Sequence, residues 1–555
     1  MRFFHRRPAS ARQGFLARLA QDTKGNVLAI VAASALPLAA FVGAGLDLSR
    51  GYLVKTRLQQ ACDAGVLAGR RAMGAGGSLT TDVQNQVSKF VNFNFPQTYY
   101  DTVGFEIKPT LTSATDTINL TLKTQMNTAV MKLFGSNTIL VTVTCSARDD
   151  YANIDIVLVL DTTGSMACKP ERDETSCKNW INNNNRSGKT LVIAGKNYSY
   201  VQEETGGALG LTNISRMQGL RDALSSLQSQ MAIIETQFNL ASSASRKRIR
   251  WSIVPFSMMA NPGFSVGTAG TTLYARNPTW FNTSGSYREV SYCNNGRSIC
   301  ADNAATTAHN SNWMTNTWDG CVEERKTSNA ITLGSSYAIP DNLPSTAYDL
   351  KFDTAPTSTD TRWTVADPDA AGISQYACPK AMREWNTMTA TAFNSYFQFA
   401  TGFVANGGTY LDVGMLWAAR LLSRTGMWAS DNPEYYHGFP VKRYVIFMTD
   451  GSMDVGNTGY GAYAQEYWWK RTTTDGAVDT ANDNHTKRWL MTCNAIKNMN
   501  TEIYAISFGA GSTLSADMQA CSSGAGYGYS AADSTELNKA FEDIGENIGS
   551  LRLSQ

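Results

Sequence analysis

The sequence predicts an α/β protein: a doubly wound, mainly parallel sheet with large insertions, preceded by an N-terminal transmembrane helix and a small α+β module. Three observations predict it. Residues 27–46 form an uncharged, mostly apolar run. Four further runs, IDIVLVL from Ile154, IRWSIVPF from Ile249, RYVIFMT from Arg443 and EIYAISFG from Glu502, have the continuous apolar texture of strands buried on both faces. Helical patterns separate those runs, and strand alternating with helix is the outline of a parallel sheet covered on both sides.

The size and composition agree with several folded parts. At 555 residues the chain exceeds what one core usually organises. With 43% hydrophobic residues and 12 Trp, 22 Phe and 23 Tyr, it carries far more aromatic material than a disordered chain. The net charge of +2 offers no basic excess for nucleic acid and no acidic tail.

Charge is concentrated at the start, where Arg2, Arg6, Arg7, Arg12, Arg18 and Lys24 face one acid, Asp22. The run VLAIVAASALPLAAFVGAGL follows, and at 1.5 Å per residue it reaches roughly 30 Å, the thickness of a hydrocarbon layer. Residues 1–25 are therefore expected as a cytoplasmic leader and 26–46 as the span, with everything after it across the membrane by the bias of Lys and Arg toward the cytoplasmic side. The run is too long for the apolar part of a cleaved signal. Gly25-Asn26 is similar to the cleavage point of prepilin-type substrates, but Ile30 stands where these usually carry Glu, which argues against processing.

Ten cysteines suit an oxidising compartment. Eight are distal: Cys168, Cys177, Cys293, Cys300, Cys321, Cys378, Cys493 and Cys521. They allow four bridges, of which Cys493 with Cys521 is expected because a helix and the strand it feeds lie side by side, and Cys321 with Cys378 is a second candidate. Cys62 and Cys145 can pair or remain buried thiols. Zinc is disfavoured by the lack of any CxxC pair and by the scatter of His5, His309, His437 and His485.

Residues 47–150 read as a stalk helix and a small module. SRGYLVKTRLQQACDAGVLAGRRAM continues the membrane helix, a second helix covers about Asp82 to Phe93, FEIKP, TINLTLKT and ILVTVTC are strand-like, and AVMKLFG reads as a short helix. A long helix capped by a few strands is the outline of a pilin-like module, suited to standing a distal domain off the bilayer. From residue 151 to 555 the parallel-sheet pattern takes over. Its helices are marked by Met217, Leu220, Leu224, Leu227, Met231, Ile234 and Phe238, by Val413, Leu416, Trp417 and Leu421 after Thr409, and by Leu537, Phe541, Ile544 and Ile548 from about Ser534, with Asp533 and Glu536 as a cap. Residues 167–212 and 258–400, rich in Asn, Thr, Ser and Gly, read as insertions stapled by cysteines, because Trp280, Trp313, Trp318 and Trp363 need cover.

Ligands of open α/β sheets bind beyond the carboxyl ends of the strands. The first strand ends in Asp161-Thr162-Thr163-Gly164-Ser165-Met166, so that Asp161, Thr163 and Ser165 offer a carboxylate and two hydroxyls from one loop. Thr409 follows Gly407-Gly408, and Asp450 ends RYVIFMT. Each alone suits a cap or a turn. Together they form a hard-oxygen set suited to Mg²⁺, Mn²⁺ or Ca²⁺. Asp454 reads as a loop acid.

DTTGSM, the Thr after GG and FMTDG resemble the metal-ion-dependent adhesion site of von Willebrand type A domains, with Thr163 where Ser is commoner. The resemblance implies that Asp161, Thr163, Ser165, Thr409 and Asp450 hold a divalent ion, Mg²⁺ or else Mn²⁺ or Ca²⁺, with an open position for a partner's carboxylate. KGNVLAIVAASALPLAAFVGAGLDLSRGYLVKTRLQQACDAGVLAG and YSAADSTELNKAFEDIGENIGSLRLS resemble the TadG-like proteins of Flp or tight-adherence pilus systems. This implies a single-pass protein of the bacterial inner membrane, its bulk periplasmic or extracellular, assisting assembly of an adhesive pilus and binding pilus-assembly components. A free adhesin for host or matrix protein, and a structural lid whose ion stabilises the fold, are the alternatives. A metal-dependent hydrolase is disfavoured: Thr163 stands where a dehalogenase-like phosphatase carries its second Asp, and no P-loop, HExxH or GxSxG at Ser165 is present.

Overall fold

The computed structural model describes residues 25–73, 78–113, 117–148, 153–184, 190–193, 196–204, 214–237, 248–263, 277–282, 289–290, 302–303, 318–366, 377–457, 459–511 and 513–550. The basic leader, Phe238, Cys293, Cys300 and Trp313 lie outside them. The chain divides into two compact units, Met1–Asp149 and Asp150–Gln555.

In the first unit one helix, α1 (Gly25–Met73), contains both the apolar run and the stalk, with Pro37 inside it. It is the one helix among the described residues long and apolar enough to cross a membrane, with a mean hydropathy of 1.7 in its most apolar window. Its distal half packs on α2 (Thr81–Asn94) and on an antiparallel sheet, β1 (Thr102–Thr112), β2 (Thr117–Asn127) and β3 (Thr138–Ala147), in spatial order β1-β2-β3. Alternation along β2 puts Ile118, Leu120, Leu122 and Met126 on the buried face, against Val54, Leu58 and Val66 of α1. Gly65 permits the close approach of the two helices, since a Cβ there would meet Val91 Cγ2 at 2.4 Å. Cys62 and Cys145 are bridged. The AVMKLFG segment forms only a 3₁₀ turn, Met131–Phe134, shorter than the expected helix.

That turn is held by Asp47. Its buried carboxylate accepts hydrogen bonds from the backbone N–H groups of Ala129, Val130 and Met131 at 2.8, 2.9 and 2.8 Å. Asp47→Ala leaves three donors without that acceptor. It should lower the stability of this unit by about 2–3 kcal/mol, read as faster amide exchange at 129–131; unchanged exchange would show that the carboxylate does not hold the turn.

The second unit is built on a sheet whose central strands are β4 (Asn153–Asp161), β5 (Ile249–Phe256), β7 (Phe439–Thr449) and β8 (Thr501–Phe508), the four runs expected. The order is β6-β5-β4-β7-β8-β9, where β6 (Arg383–Asn386) is antiparallel to β5, and β9 (Gly528–Ala531) is parallel to β8. The pairs β5·β4, β4·β7 and β7·β8 are parallel. Both edge strands escape the sequence reading, and β6 comes from a segment read as an insertion.

Every residue of β4 is buried, as a strand covered on both faces must be. Val157 and Val159 belong to one core layer with α5 (Leu411–Leu422) and α6 (Val478–Asn498). Ile156, Leu158 and Leu160 belong to the other, with α4 (Arg216–Gln237) and α8 (Ser534–Ser550). Between β4 and α4 lies α3 (Glu174–Asn184), and between β8 and β9 lies α7 (Ala516–Cys521). Asp533 caps α8 by accepting from the N–H groups of Thr535 and Glu536, while the Glu536 carboxylate reaches back to the N–H of Ala532.

The insertions contribute to this core. Trp318 and Trp363 are buried in it, and Trp363 stacks on Trp417 at 4.8 Å. Trp280 is partly buried and meets Trp428 edge-on. Among the described residues the bridges of this unit are Cys168–Cys177, Cys321–Cys378 and Cys493–Cys521, which include both pairs expected from the sequence. Buried ion pairs fasten the second insertion to the helices. Arg420 of α5 grips Glu324 through two hydrogen bonds of 2.8 Å, and Arg488 of α6 pairs with Asp349 at 3.0 Å.

Candidate metal centre

The parallel register brings the carboxyl ends of β4 and β7 side by side, with Met448 opposite Leu160. Asp161 closes β4 and Asp450 follows Thr449, the last residue of β7. The Asp161 carboxylate is fully buried; one oxygen accepts from the N–H of Thr163 at 2.8 Å and the other from the Thr449 hydroxyl at 2.7 Å. This fixes the turn that carries the next two hydroxyls. The Thr163 and Ser165 hydroxyls are 3.0 Å apart, and Ser165 Oγ donates to Asp450 Oδ1 at 2.8 Å. Asp161, Thr163, Ser165 and Asp450 therefore form one connected cluster.

Thr409 arrives on a different element, just before α5. The backbone of its turn is clamped to the β4 loop: Gly164 N–H donates to Gly407 O at 2.9 Å, and Asn406 N–H donates to Thr162 O at 2.8 Å. Gly407 has φ of +84°, and a Cβ there would lie 2.6 Å from Ala377 Cβ, so this turn requires glycine on both counts. Thr409 exchanges two backbone hydrogen bonds with Asp454, at 3.2 and 3.0 Å. The Asp454 side chain pairs with Lys178 of α3 at 3.3 Å, so this loop acid positions Thr409 through its backbone. Ser165, Thr409 and Asp450 line a cleft of about 1170 Å³, and Asp161 and Thr163 are buried, with the Thr163 hydroxyl beside that of Ser165.

Two residues missed by sequence reasoning complete the cluster. Thr449 supports Asp161, and Arg216, the first residue of α4, donates from Nη1 to Asp450 Oδ2 at 2.8 Å. Thr449 sits one residue before Asp450, and no signal beyond that adjacency marks it. Arg216 precedes an apolar stripe and reads only as the start of a helix.

Burial and the neighbouring Asp450 push the Asp161 carboxyl up to about 7. Its folded value thus lies above the unfolded one, the folded state binds the extra proton, and the group costs stability as pH rises from about 4 to about 7. A divalent cation held there would offset that cost by neutralising the pair. The donors present are carboxylates and hydroxyls, which fit a hard ion such as Mg²⁺. Cation binding should consequently strengthen between pH 5.5 and 8 and release protons near pH 7. Calorimetric Mn²⁺ titrations in buffers of different ionisation enthalpy check this; a pH-independent affinity would refute it.

Comparison with known proteins bears mainly on the first unit. Residues 25–75 match the Tad family, described as putative Flp pilus-assembly TadE/G-like. No match is found among the curated proteins. Among solved structures, the pilus adhesin SpaC from Lactobacillus rhamnosus GG, in its open conformation, is 12% identical with a TM-score of 0.29, covering 80% of this chain and 33% of that one. The chain thus spans about a third of SpaC. The PilB minor pilin from Streptococcus sanguinis is 12% identical with a TM-score of 0.30, covering 81% of this chain and 79% of that one. Proximal thread matrix protein 1 from the mussel byssus, with a zinc-occupied MIDAS motif, is 11% identical with a TM-score of 0.18, covering 72% and 96%. At such scores neither fold nor function is carried over from these structures. The helix that holds the apolar run and the stalk is the part of this chain that matches a family model, that of the putative TadE/G-like proteins of Flp pilus assembly.

Proposed function

We propose that this chain is a membrane-anchored accessory protein of an Flp-type pilus, and that its distal unit is a von Willebrand type A domain binding a protein partner through a divalent cation. The observation that carries this reading is the convergence of Asp161, Thr163, Ser165 and Asp450, two of them joined by a hydrogen bond across 285 positions of sequence, at the carboxyl edge of a parallel sheet. Thr409 is the fifth ligand. An ion held by hydroxyls and carboxylates, with the cleft at its open side, attracts an acidic side chain from a partner.

The role is docking and not catalysis. No histidine is among the described residues lining the cleft, and the two acids joined to the hydroxyl cluster, Asp161 and Asp450, are taken up in this reading as ligands of the ion. The anchor reading rests on α1 and its Tad match, and the outward placement of the bulk rests on the basic leader and on the four disulfides among the described residues, which persist in oxidising compartments.

Protease added to spheroplasts should degrade the segment after residue 46, and pulldown of the detergent-solubilised protein should capture pilus-assembly components with Mg²⁺ but not with chelator. Protection of the distal unit would reverse the topology. Capture that is equal with and without chelator would exclude ion-dependent docking.

A further inference from the structure

The cluster contains one charge that a simple cation cradle does not need. Arg216 is 4% exposed at its side chain and is held on three sides. Nη1 donates to Asp450 Oδ2, the oxygen not used by Ser165, and Nη2 donates to the carbonyl of Arg172 at 2.5 Å. The third side is the backbone at Gly509, where a Cβ would lie 3.1 Å from the guanidinium carbon. The Arg172 carbonyl is itself fixed. It lies inside the loop closed by Cys168–Cys177, and the Arg172 side chain is gripped by Glu204 at 2.7 and 2.8 Å. The backbone N–H of Arg216 donates to Cys168 O at 2.8 Å. The first insertion therefore builds a socket that aims a guanidinium at a candidate ligand.

We propose that Arg216 is a resident counter-charge that lowers the affinity of the site for a bare cation and makes cation and acidic partner bind cooperatively. This rests on the cation-site reading given above. Counted at their formal charges, Asp161, Asp450 and Arg216 sum to one negative charge, so a divalent ion leaves the loaded site with one positive charge. That excess is relieved by a carboxylate arriving at the open position. Without the guanidinium, the ion and two carboxylates would already be neutral, and an anionic ligand would gain little. Arg172 and Lys169 share Glu204, and Lys178 lies between Glu174 and Asp454, so these three cations and three carboxylates together leave the sum unchanged. Arg216 acts on the ion through Asp450 and through space, and is a positioning residue.

The test titrates Mn²⁺ into the full-length protein in detergent, followed by electron paramagnetic resonance, with and without saturating acetate as the carboxylate probe. For the wild type, acetate should raise the Mn²⁺ affinity about fivefold or more, within the usual range of coupling between sites. Arg216→Met should bind Mn²⁺ alone about tenfold more tightly and lose the acetate effect. Arg216→Lys should restore the acetate effect, which a purely structural role for the side chain would not predict. Wild-type affinity that ignores acetate overturns the proposal without any variant. So does an Arg216→Met protein that binds Mn²⁺ no better than wild type. Failure of the wild type to bind Mn²⁺ at all would instead overturn the cation-site reading on which the proposal stands.

Discussion

Glu324→Ala should destabilise the distal unit by about 3–5 kcal/mol, the usual cost of stripping one partner from a buried ion pair. Arg420 and Glu324 are 0% and 1% exposed at their side chains, and two hydrogen bonds of 2.8 Å join them. The guanidinium also lies 5.2 Å from the ring of Trp363 and 4.8 Å from that of Trp417. Removing the carboxylate would leave a cation in an aromatic pocket with only the Asp349 carbonyl, at 3.1 Å, as a remaining acceptor. Urea denaturation followed by tryptophan fluorescence would read the loss. Replacing both partners by Met should recover much of it, since the burial cost of both charges disappears together. A change below about 1 kcal/mol for Glu324→Ala would show that this pair does not fasten the insertion to α5.

Asp161→Ala should weaken divalent-cation binding by about 100-fold or more, because even outer partners of metal ligands cost 10–100-fold when removed. The fold should survive. The four central strands keep their apolar contacts, and the lost carboxylate is one that burial already penalises at neutral pH. Chelator should destabilise the wild type near pH 7 and leave Asp161→Ala unchanged. Thr409→Ala removes a neutral ligand and should act in the same direction, more mildly. Partner capture by Asp161→Ala should equal that of the wild type in chelator. A variant that binds the ion as well as the wild type would remove Asp161 from the site.

Most of the distal core was legible because its signals are local. Continuous apolar runs marked β4, β5, β7 and β8, and the alternating spacings from Met217 marked α4. The edges were not legible. β9 is Gly528-Tyr529-Ser530-Ala531, mostly half-exposed and short, and β6 is Arg383-Glu384-Trp385-Asn386, polar and broken in register. Such strands are fixed by the neighbour they pair with and not by their own pattern. The site divides in the same way. Asp161, Thr163 and Ser165 declare themselves by spacing within one loop, whereas the structure ties Arg216 to Asp450 across 234 positions. The ion pairs Arg420–Glu324 and Arg488–Asp349 join residues 96 and 139 positions apart, and Glu324 and Asp349 stand in Asn- and Thr-rich sequence that suggested only a polar loop.

Five oxygen-bearing residues at the carboxyl edge of the sheet should hold one hard divalent ion. Crystals of the distal unit or of the whole chain grown with Mn²⁺ test it most directly, through anomalous scattering. A single strong peak is expected in the cleft, within coordination distance, roughly 2.1 Å, of the Thr163, Ser165 and Thr409 hydroxyl oxygens and beside the carboxylates of Asp161 and Asp450. No peak at that position, or a peak bound elsewhere with Ser165 still donating to Asp450, would contradict it.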